Sequence, residues 1–174
     1  MTYNADKVLS DISSDGFQTE LHKHKPVQTV EEMTEECGHI DGVHTKNLFL
    51  RDNKKNFFLV TLPHDAKVDL KGLRSVLGAK GGLSFASSES LESHLGVISG
   101  AVSPLAAVND DDCIVAVYIE QSLLGADRIN IHPLSNAMTL SIRPDDLVSY
   151  LARRGRKPLS FSLPSTGPAP AQMD

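Results

Sequence analysis

An α+β fold, a compact mixed sheet flanked by helices, follows from three features of the chain. Strand-like and helix-like segments are interspersed without the regular βαβ alternation of a parallel doubly wound sheet. One pair of strand candidates, Lys46 to Arg51 and Asn56 to Leu62, is separated by the polar turn Asp52-Asn53-Lys54-Lys55 and reads as a hairpin. The 174 residues, 40% apolar, supply one ordinary core and not two. We therefore expect a single domain over 1–161 and a flexible tail over 162–174, where Pro164, Pro168 and Pro170 accompany no core-forming content.

Taken in order, Ala5 to Ser14 carries Val8, Leu9 and Ile12 at amphipathic spacing, and Gly16 closes that helix. TELHKHKP reads as a strand ended by Pro26. Thr29 caps a second helix through Cys37, with Glu32 three residues on completing a capping box. Glu31, Glu32, Glu35 and Glu36 make it strongly acidic and leave it few apolar anchors. After the hairpin, Asp69 to Leu77 presents Leu70, Leu73, Val76 and Leu77 on one face and stops at Gly78. A strand at 83–86 precedes a helix opening at Ser88 or Ser90 and ending at Leu95, before Gly96. Further strands are expected at 114–119, 128–132 and 137–142, and Pro144-Asp145-Asp146-Leu147 opens a last helix to about Arg154.

The net charge of −5 argues against a protein that coats nucleic acid by broad phosphate neutralisation, though it leaves room for a local basic funnel. Basic residues gather at Lys23/Lys25, at Lys46 with Arg51, Lys54 and Lys55, and in Arg153-Arg154-Gly155-Arg156-Lys157. Cys37 and Cys113 follow no disulfide or metal-knuckle spacing, which suits a reducing compartment. The polar, acidic start resembles neither a signal nor a transit peptide, and no apolar run is long enough for a membrane span. A cytoplasmic protein with no membrane partner is expected.

Several familiar site patterns fail on their spacing. GLRSVLGAKGG lacks the phosphate-loop spacing and the Ser or Thr after its lysine, so a helix end and a turn account for it. His22 and His24 share one face of a strand, with Cys37, His39 and His44 nearby, yet they match no zinc module; we expect no metal and no cofactor. No G-x-S-x-G elbow is present. Cys113, just before an apolar strand, reads as a buried structural thiol. What remains is Thr45-Lys46-Asn47 opening a hairpin strand, the Gly100-x-x-x-Pro104 loop, and His132-Pro133-Leu134 with Asn136. Singly, each of these has an ordinary structural reading: a solvated lysine, a turn, a core histidine.

Together, TKNLFLRD, SGAVSPL and HPLSN, in this order and at these separations, resemble the YbaK/prolyl-tRNA-synthetase-associated editing domains. The similarity is greatest to the free-standing prolyl-tRNA deacylase branch of ProXp-ala or PrdX type, and it runs from about Val8 to Ala152. The resemblance implies a compact mixed sheet with helices and hydrolysis of the ester of mischarged Ala-tRNA(Pro). It assigns Lys46 to the terminal adenosine or its phosphate, Gly100 and Pro104 to a loop approaching the aminoacyl end, and His132 to the amino-acid pocket. Thr45, Asn47, Ala101, Ser103 and Asn136 match neighbouring substrate-binding positions.

A carboxylic ester hydrolase of this kind needs donors for a developing oxyanion and a positioned water or ribose hydroxyl, with no strong nucleophile. Its implied partners are the acceptor end of mischarged tRNA, and prolyl-tRNA synthetase or a multi-synthetase complex. Two other readings stay open: the same reaction on serine- or cysteine-bearing tRNA, and a noncatalytic synthetase-associated tRNA-binding module. The acidic helix reads equally as a gate over the acceptor end or as a marginal surface helix. The RRGRK run reads as a tether for tRNA or a synthetase, or as inert.

Overall fold

A computed structural model describes residues 2–163. Helix α1 (Ala5–Ser14) starts at Asn4, whose side chain accepts the Lys7 amide. Strand β1 (Glu20–Lys23) leads to α2 (Val30–Cys37), where the Thr29 hydroxyl oxygen accepts the Glu32 amide. The other half of the capping box differs from expectation: the Glu32 carboxylate accepts the Thr29 hydroxyl proton. Strands β2 (Val43–Arg51) and β3 (Phe57–Pro63) form the expected antiparallel hairpin, with Thr45 opposite Pro63 and Arg51 opposite Phe57.

Asp52 organises the turn between them. It is 1% exposed and accepts the amides of Lys54, Asn56 and Lys80 and the Asn56 side-chain amide. Burial pushes its carboxyl pKa up, but these four donors outweigh that and hold it at about 2.

Helix α3 (Leu70–Leu77) begins on Asp69 and ends at Gly78 in the left-handed conformation, as the capping residues predict. Next come β4 (Ser84–Phe85) and α4 (Ser88–Leu95), capped by Ser87. The loop that follows contains an element absent from the expectations, a 3₁₀ helix at Pro104–Asn109. Strand β5 (Val115–Glu120), the single turn α5 (Gln121–Leu124), β6 (Ile129–Ile131), β7 (Met138–Ile142) and α6 (Pro144–Arg153) complete the chain up to a last strand, β8 (Leu159–Phe161). Both α5 and β8 are also unanticipated. Ser162 and Leu163, assigned to the tail, are held against the domain: the Ser162 hydroxyl bonds Gln121, and Leu163 packs beside Phe161. Residues 164–174 of that segment lie outside the described residues.

The eight strands form one mixed sheet in the order β1-β7-β6-β2-β3-β5-β8, with β4 also on β2. Pairings β2/β6, β3/β5 and β5/β8 are parallel and the rest antiparallel. Period-two alternation sorts the hairpin's side chains. Leu50, Phe58, Val60 and Leu62 meet α3 through Leu73 and Leu77, while Phe49 and Leu59 meet α4 through Leu91 and Leu95. A third cluster joins the two ends of the domain, with Val8 and Ile12 of α1 against Leu147, Tyr150 and Leu151 of α6.

The C-terminal basic run is engaged within the fold. Arg154 lies 2.8 Å from Asp15 and 3.5 Å from Asp11 and covers the Tyr150 ring at 3.8 Å. Arg153 reaches Asp15 at 3.7 Å and stacks on Phe17, and Arg156 donates to the carbonyls of Ala107 and Asp110 and to the Cys113 sulfur. Cys113 itself is exposed, in a turn residue with φ of 55°, so the reading of a buried thiol is wrong. It precedes the strand without belonging to it. Cys37 is the buried cysteine, and burial pushes its thiol pKa up.

Candidate functional site

The sheet splits along one edge of β2. On that edge β6 pairs only Val43 and His44, and β4 pairs only Leu50 and Arg51, leaving residues 45–49 with a ladder partner in β3 alone. The Thr45 hydroxyl donates to the Asn130 carbonyl at one end of the gap, and the Ala86 amide donates to the Phe49 carbonyl at the other. A cavity of about 420 Å³ opens here, lined by Thr45, Lys46, Asn47 and Phe49. Val27 to Thr29 and Met33 wall it from the α2 side, Phe85, Ala86, Ser88 and Leu91 from the β4–α4 side. Ser99, Gly100, Val102, His64 and His132 complete the lining.

Five of the nine expected site residues, Thr45, Lys46, Asn47, Gly100 and His132, therefore meet in one cavity. Asn47 is fully engaged: its carbonyl accepts the Thr61 hydroxyl at 2.6 Å, and its amide donates to the Val102 carbonyl at 3.0 Å. It braces the Gly100 loop against β2. Lys46, adjacent in a strand, projects to the opposite face, where its ammonium donates to the Ala66 carbonyl in the loop after β3. Among the described residues no carboxylate pairs with Lys46. Its charge is thus fixed in place but not neutralised.

Gly100 has φ of 93°, a left-handed conformation that disfavours any side chain, and a methyl there would rest against Asn136, Gln28 and the Val27 carbonyl. The other four expected residues stand behind the cavity wall. Pro104 opens the buried 3₁₀ helix, the Ser103 hydroxyl oxygen caps it by accepting the Leu105 amide, and Ala101 packs in the cluster around α4. Asn136 accepts the Val27 amide through its main-chain carbonyl and so tethers one wall.

His132 donates Nδ1–H to the Met138 carbonyl at 2.9 Å, which fixes the tautomer and leaves Nε2 as an acceptor. Burial pushes its pKa below the ordinary 6.5, the Met138 bond pulls back, and His24, 6.5 Å away, pushes it lower again. His64 likewise donates Nδ1–H to the His44 carbonyl, and its ring stands edge-on to His44 at 5.7 Å. His44 is depressed by burial first and by His64 second. Because both His44 and His132 bind a proton less readily folded than unfolded, the stability they contribute is full above about pH 6.5 and is lost as pH falls below it. The urea midpoint is expected to drop between pH 7.5 and 5.5, and a midpoint that holds steady would contradict this account of the two rings.

His22 pairs edge-on with His39, and His24 accepts the Thr139 hydroxyl proton. Among the described residues no three His, Cys, Asp or Glu side chains gather as a metal would need. No described helix is long and apolar enough to cross a membrane. Sequence reasoning missed Val27, Gln28, Met33, His64, Phe85, Leu91 and Ser99 as lining residues. Three of these left a signal: Phe85 is a single aromatic in the serine-rich run LSFASSES, Ser99 stands in SGAVSPL, and Met33 lies on the acidic helix read as a gate.

The profile of the family described as the aminoacyl-tRNA editing domain matches residues 24–150, the span from just after β1 into α6 that holds every residue lining the cavity. The chain is 37% identical over 146 residues to prolyl-tRNA synthetase associated domain-containing protein 1 of Bos taurus, covering 82% of this chain and 85% of that one. It is 37% identical over 137 residues to the prolyl-tRNA editing protein ProX of Acetoanaerobium sticklandii, covering 78% and 82%. A solved structure of a candidate trans-editing enzyme for prolyl tRNA synthetase superposes with a TM-score of 0.71 at 17% identity, over 95% of this chain and 99% of that one, a likeness of fold. The profile spans well over half of the chain and both relatives are matched at 37% identity over more than four fifths of their length, and the chain belongs to the aminoacyl-tRNA editing domain family.

Proposed function

We propose that the protein hydrolyses the ester of Ala-tRNA(Pro), releasing alanine and free tRNA. One observation carries the chemistry: among the described residues the cavity lining contains no thiol and no carboxylate, while a neutral imidazole, a positive-φ glycine loop and Lys46 all contribute to it. An activated ester suits such a site. Water adds to the ester carbonyl carbon, the carbonyl oxygen becomes the oxyanion, and the bond to the ribose oxygen breaks as that oxygen takes the proton released by the water.

In this scheme the bare Nε2 of His132 accepts a hydrogen bond from the substrate's α-ammonium, and Lys46 holds the anionic 3′ end. Gly100 lets the ester approach main chain without a Cβ between them. The attacking water is oriented by the substrate's own ribose hydroxyl. Relatives named for prolyl-tRNA editing and for association with prolyl-tRNA synthetase support tRNA(Pro) as the carrier and the synthetase as a partner. The general logic of editing, in which a second pocket takes the smaller amino acid that a first site cannot reject, favours alanine over proline.

Single-turnover hydrolysis of labelled Ala-tRNA(Pro), beside Pro-, Ser- and Cys-charged counterparts, tests the reading. Selective loss of alanine is expected. Faster release of serine or cysteine would move the specificity, and intact esters throughout would leave a tRNA-binding module.

A further inference from the structure

Charge is distributed unevenly along this acidic chain, and the fold gathers the positive part beside the cavity. Residues 46–86 carry eight Lys and Arg against three Asp, a net of +5 in a protein of net −5, so the remainder carries −10. The C-terminal arginines are not free to meet a polyanion, since Arg153, Arg154 and Arg156 are held by Asp15, Asp11 and main-chain carbonyls. Lys54, Lys55, Arg74 and Lys80 are all exposed, and among the described residues none of them makes an ion pair.

Asp52 brings Lys54, Lys55 and Lys80 to one edge. By accepting the Lys54 and Lys80 amides it docks the α3–β4 loop onto the β2–β3 turn, where the Asn53 amide also bonds the Lys80 carbonyl. Phe85 lies five residues beyond Lys80, at most about 18 Å of extended chain. It is 63% exposed, the most exposed large apolar side chain among the described residues, and it lines the cavity mouth. Opposite Leu50 in the ladder, Phe85 shares the sheet face that carries Lys46 and α3.

An open aromatic ring beside a cationic track is how proteins hold a single strand: bases stack on the ring and phosphates follow the charges. We propose that the acceptor strand of the RNA leaves the cavity over Phe85, which stacks an unpaired 3′ base, and runs along the edge formed by Lys80, Lys54 and Lys55, which neutralises its phosphates. This inference rests on the tRNA-ester reading above and gives it a direction of approach. It assigns the RRGRK run no part in RNA binding.

The test is binding of an uncharged fluorescent RNA hairpin with a short single-stranded 3′ overhang, read by anisotropy over a salt series, together with deacylation of Ala-tRNA(Pro). The triple variant Lys54→Glu/Lys55→Glu/Lys80→Glu is expected to raise the dissociation constant about tenfold or more at low salt and to reduce the salt slope by roughly 2. A glutamine version of the same triple should lose the same slope without charge reversal. Phe85→Ala should weaken binding about tenfold and Phe85→Trp should retain it. Lys157→Glu should leave both quantities unchanged. An unaltered salt slope in both triples, or an equal loss in Lys157→Glu, overturns the path. Wild-type protein that hydrolyses the ester while the triples keep their KM overturns the path alone. Binding that depends on these residues, with no ester cleaved, supports the path and overturns the reaction.

Discussion

Lys46→Ala is expected to slow single-turnover release of alanine from Ala-tRNA(Pro) by about 10²-fold, the scale of misplacing a reacting ester once the charge that holds the 3′ end is lost. The side chain is half-buried, its ammonium is steered by the Ala66 carbonyl, and no acid among the described residues neutralises it. That arrangement presents a charge in fixed position before substrate arrives. Folding should suffer far less, because one main-chain hydrogen bond is lost, about 1–3 kcal/mol. In a domain of this size that lowers Tm by only several degrees, roughly 2–4 °C per kcal/mol. Lys46→Met, which keeps the aliphatic stem, should match alanine in rate and stay nearer wild type in Tm. A rate within about twofold of wild type in either variant would remove Lys46 from the chemistry.

Asp52→Ala is expected to cost about 3 kcal/mol of folding stability, because three main-chain amides and one side-chain amide lose a charged acceptor together. Thermal unfolding should shift down by roughly 6–12 °C. Asp52→Asn, which keeps one carbonyl oxygen, should fall between the two. The sign with pH follows from the depressed carboxyl: the contribution is complete above 3.8, the unfolded value, and disappears as pH falls through about 2. Wild type and Asp52→Ala should therefore converge in stability over that acid window. A gap that persists below it would mean that Asp52 acts by packing and not by charge.

The elements legible in the sequence are those whose signals are local. Asn4, Thr29, Asp69 and Ser87 each cap the helix that follows, Gly78 and Gly96 each end one in the left-handed conformation, and the polar turn at Asp52 closes the hairpin. What escaped has no local signal. The 3₁₀ helix at Pro104–Asn109 is buried at five of six positions, so it shows no amphipathic period. Strand β8 is three residues on a parallel edge, two of them exposed, and its partner lies some forty residues earlier at Tyr118 to Glu120. Helix α5 is a single turn.

The candidate site divides the same way. Lys46, Gly100 and His132 carry little meaning singly and became candidates through the family's motif order. His64 and Leu91 belong to segments with no motif, and they reach the cavity only because β2 takes β6 and β4 at its two ends and leaves its middle open; Met33 comes from the acidic helix, which read equally as a gate and as a surface helix. The RRGRK run stayed open between a tether and an inert stretch for a related reason. Its partners Asp11 and Asp15 lie about 140 residues away, so an ordinary set of intramolecular ion pairs looked like an unoccupied basic arm.

The cluster that joins α1 to α6 also bears on how the protein is made. Val8 and Ile12 leave the ribosome some 140 residues ahead of Leu147, Tyr150 and Leu151, the side chains that cover them. At ordinary elongation rates that gap is on the order of ten seconds, during which the first helix lacks the α6 part of the cluster that buries its apolar face. The nascent chain is therefore a natural client for chaperones until its last helix emerges, and a circular permutant that places α6 directly before α1 should shorten that exposure.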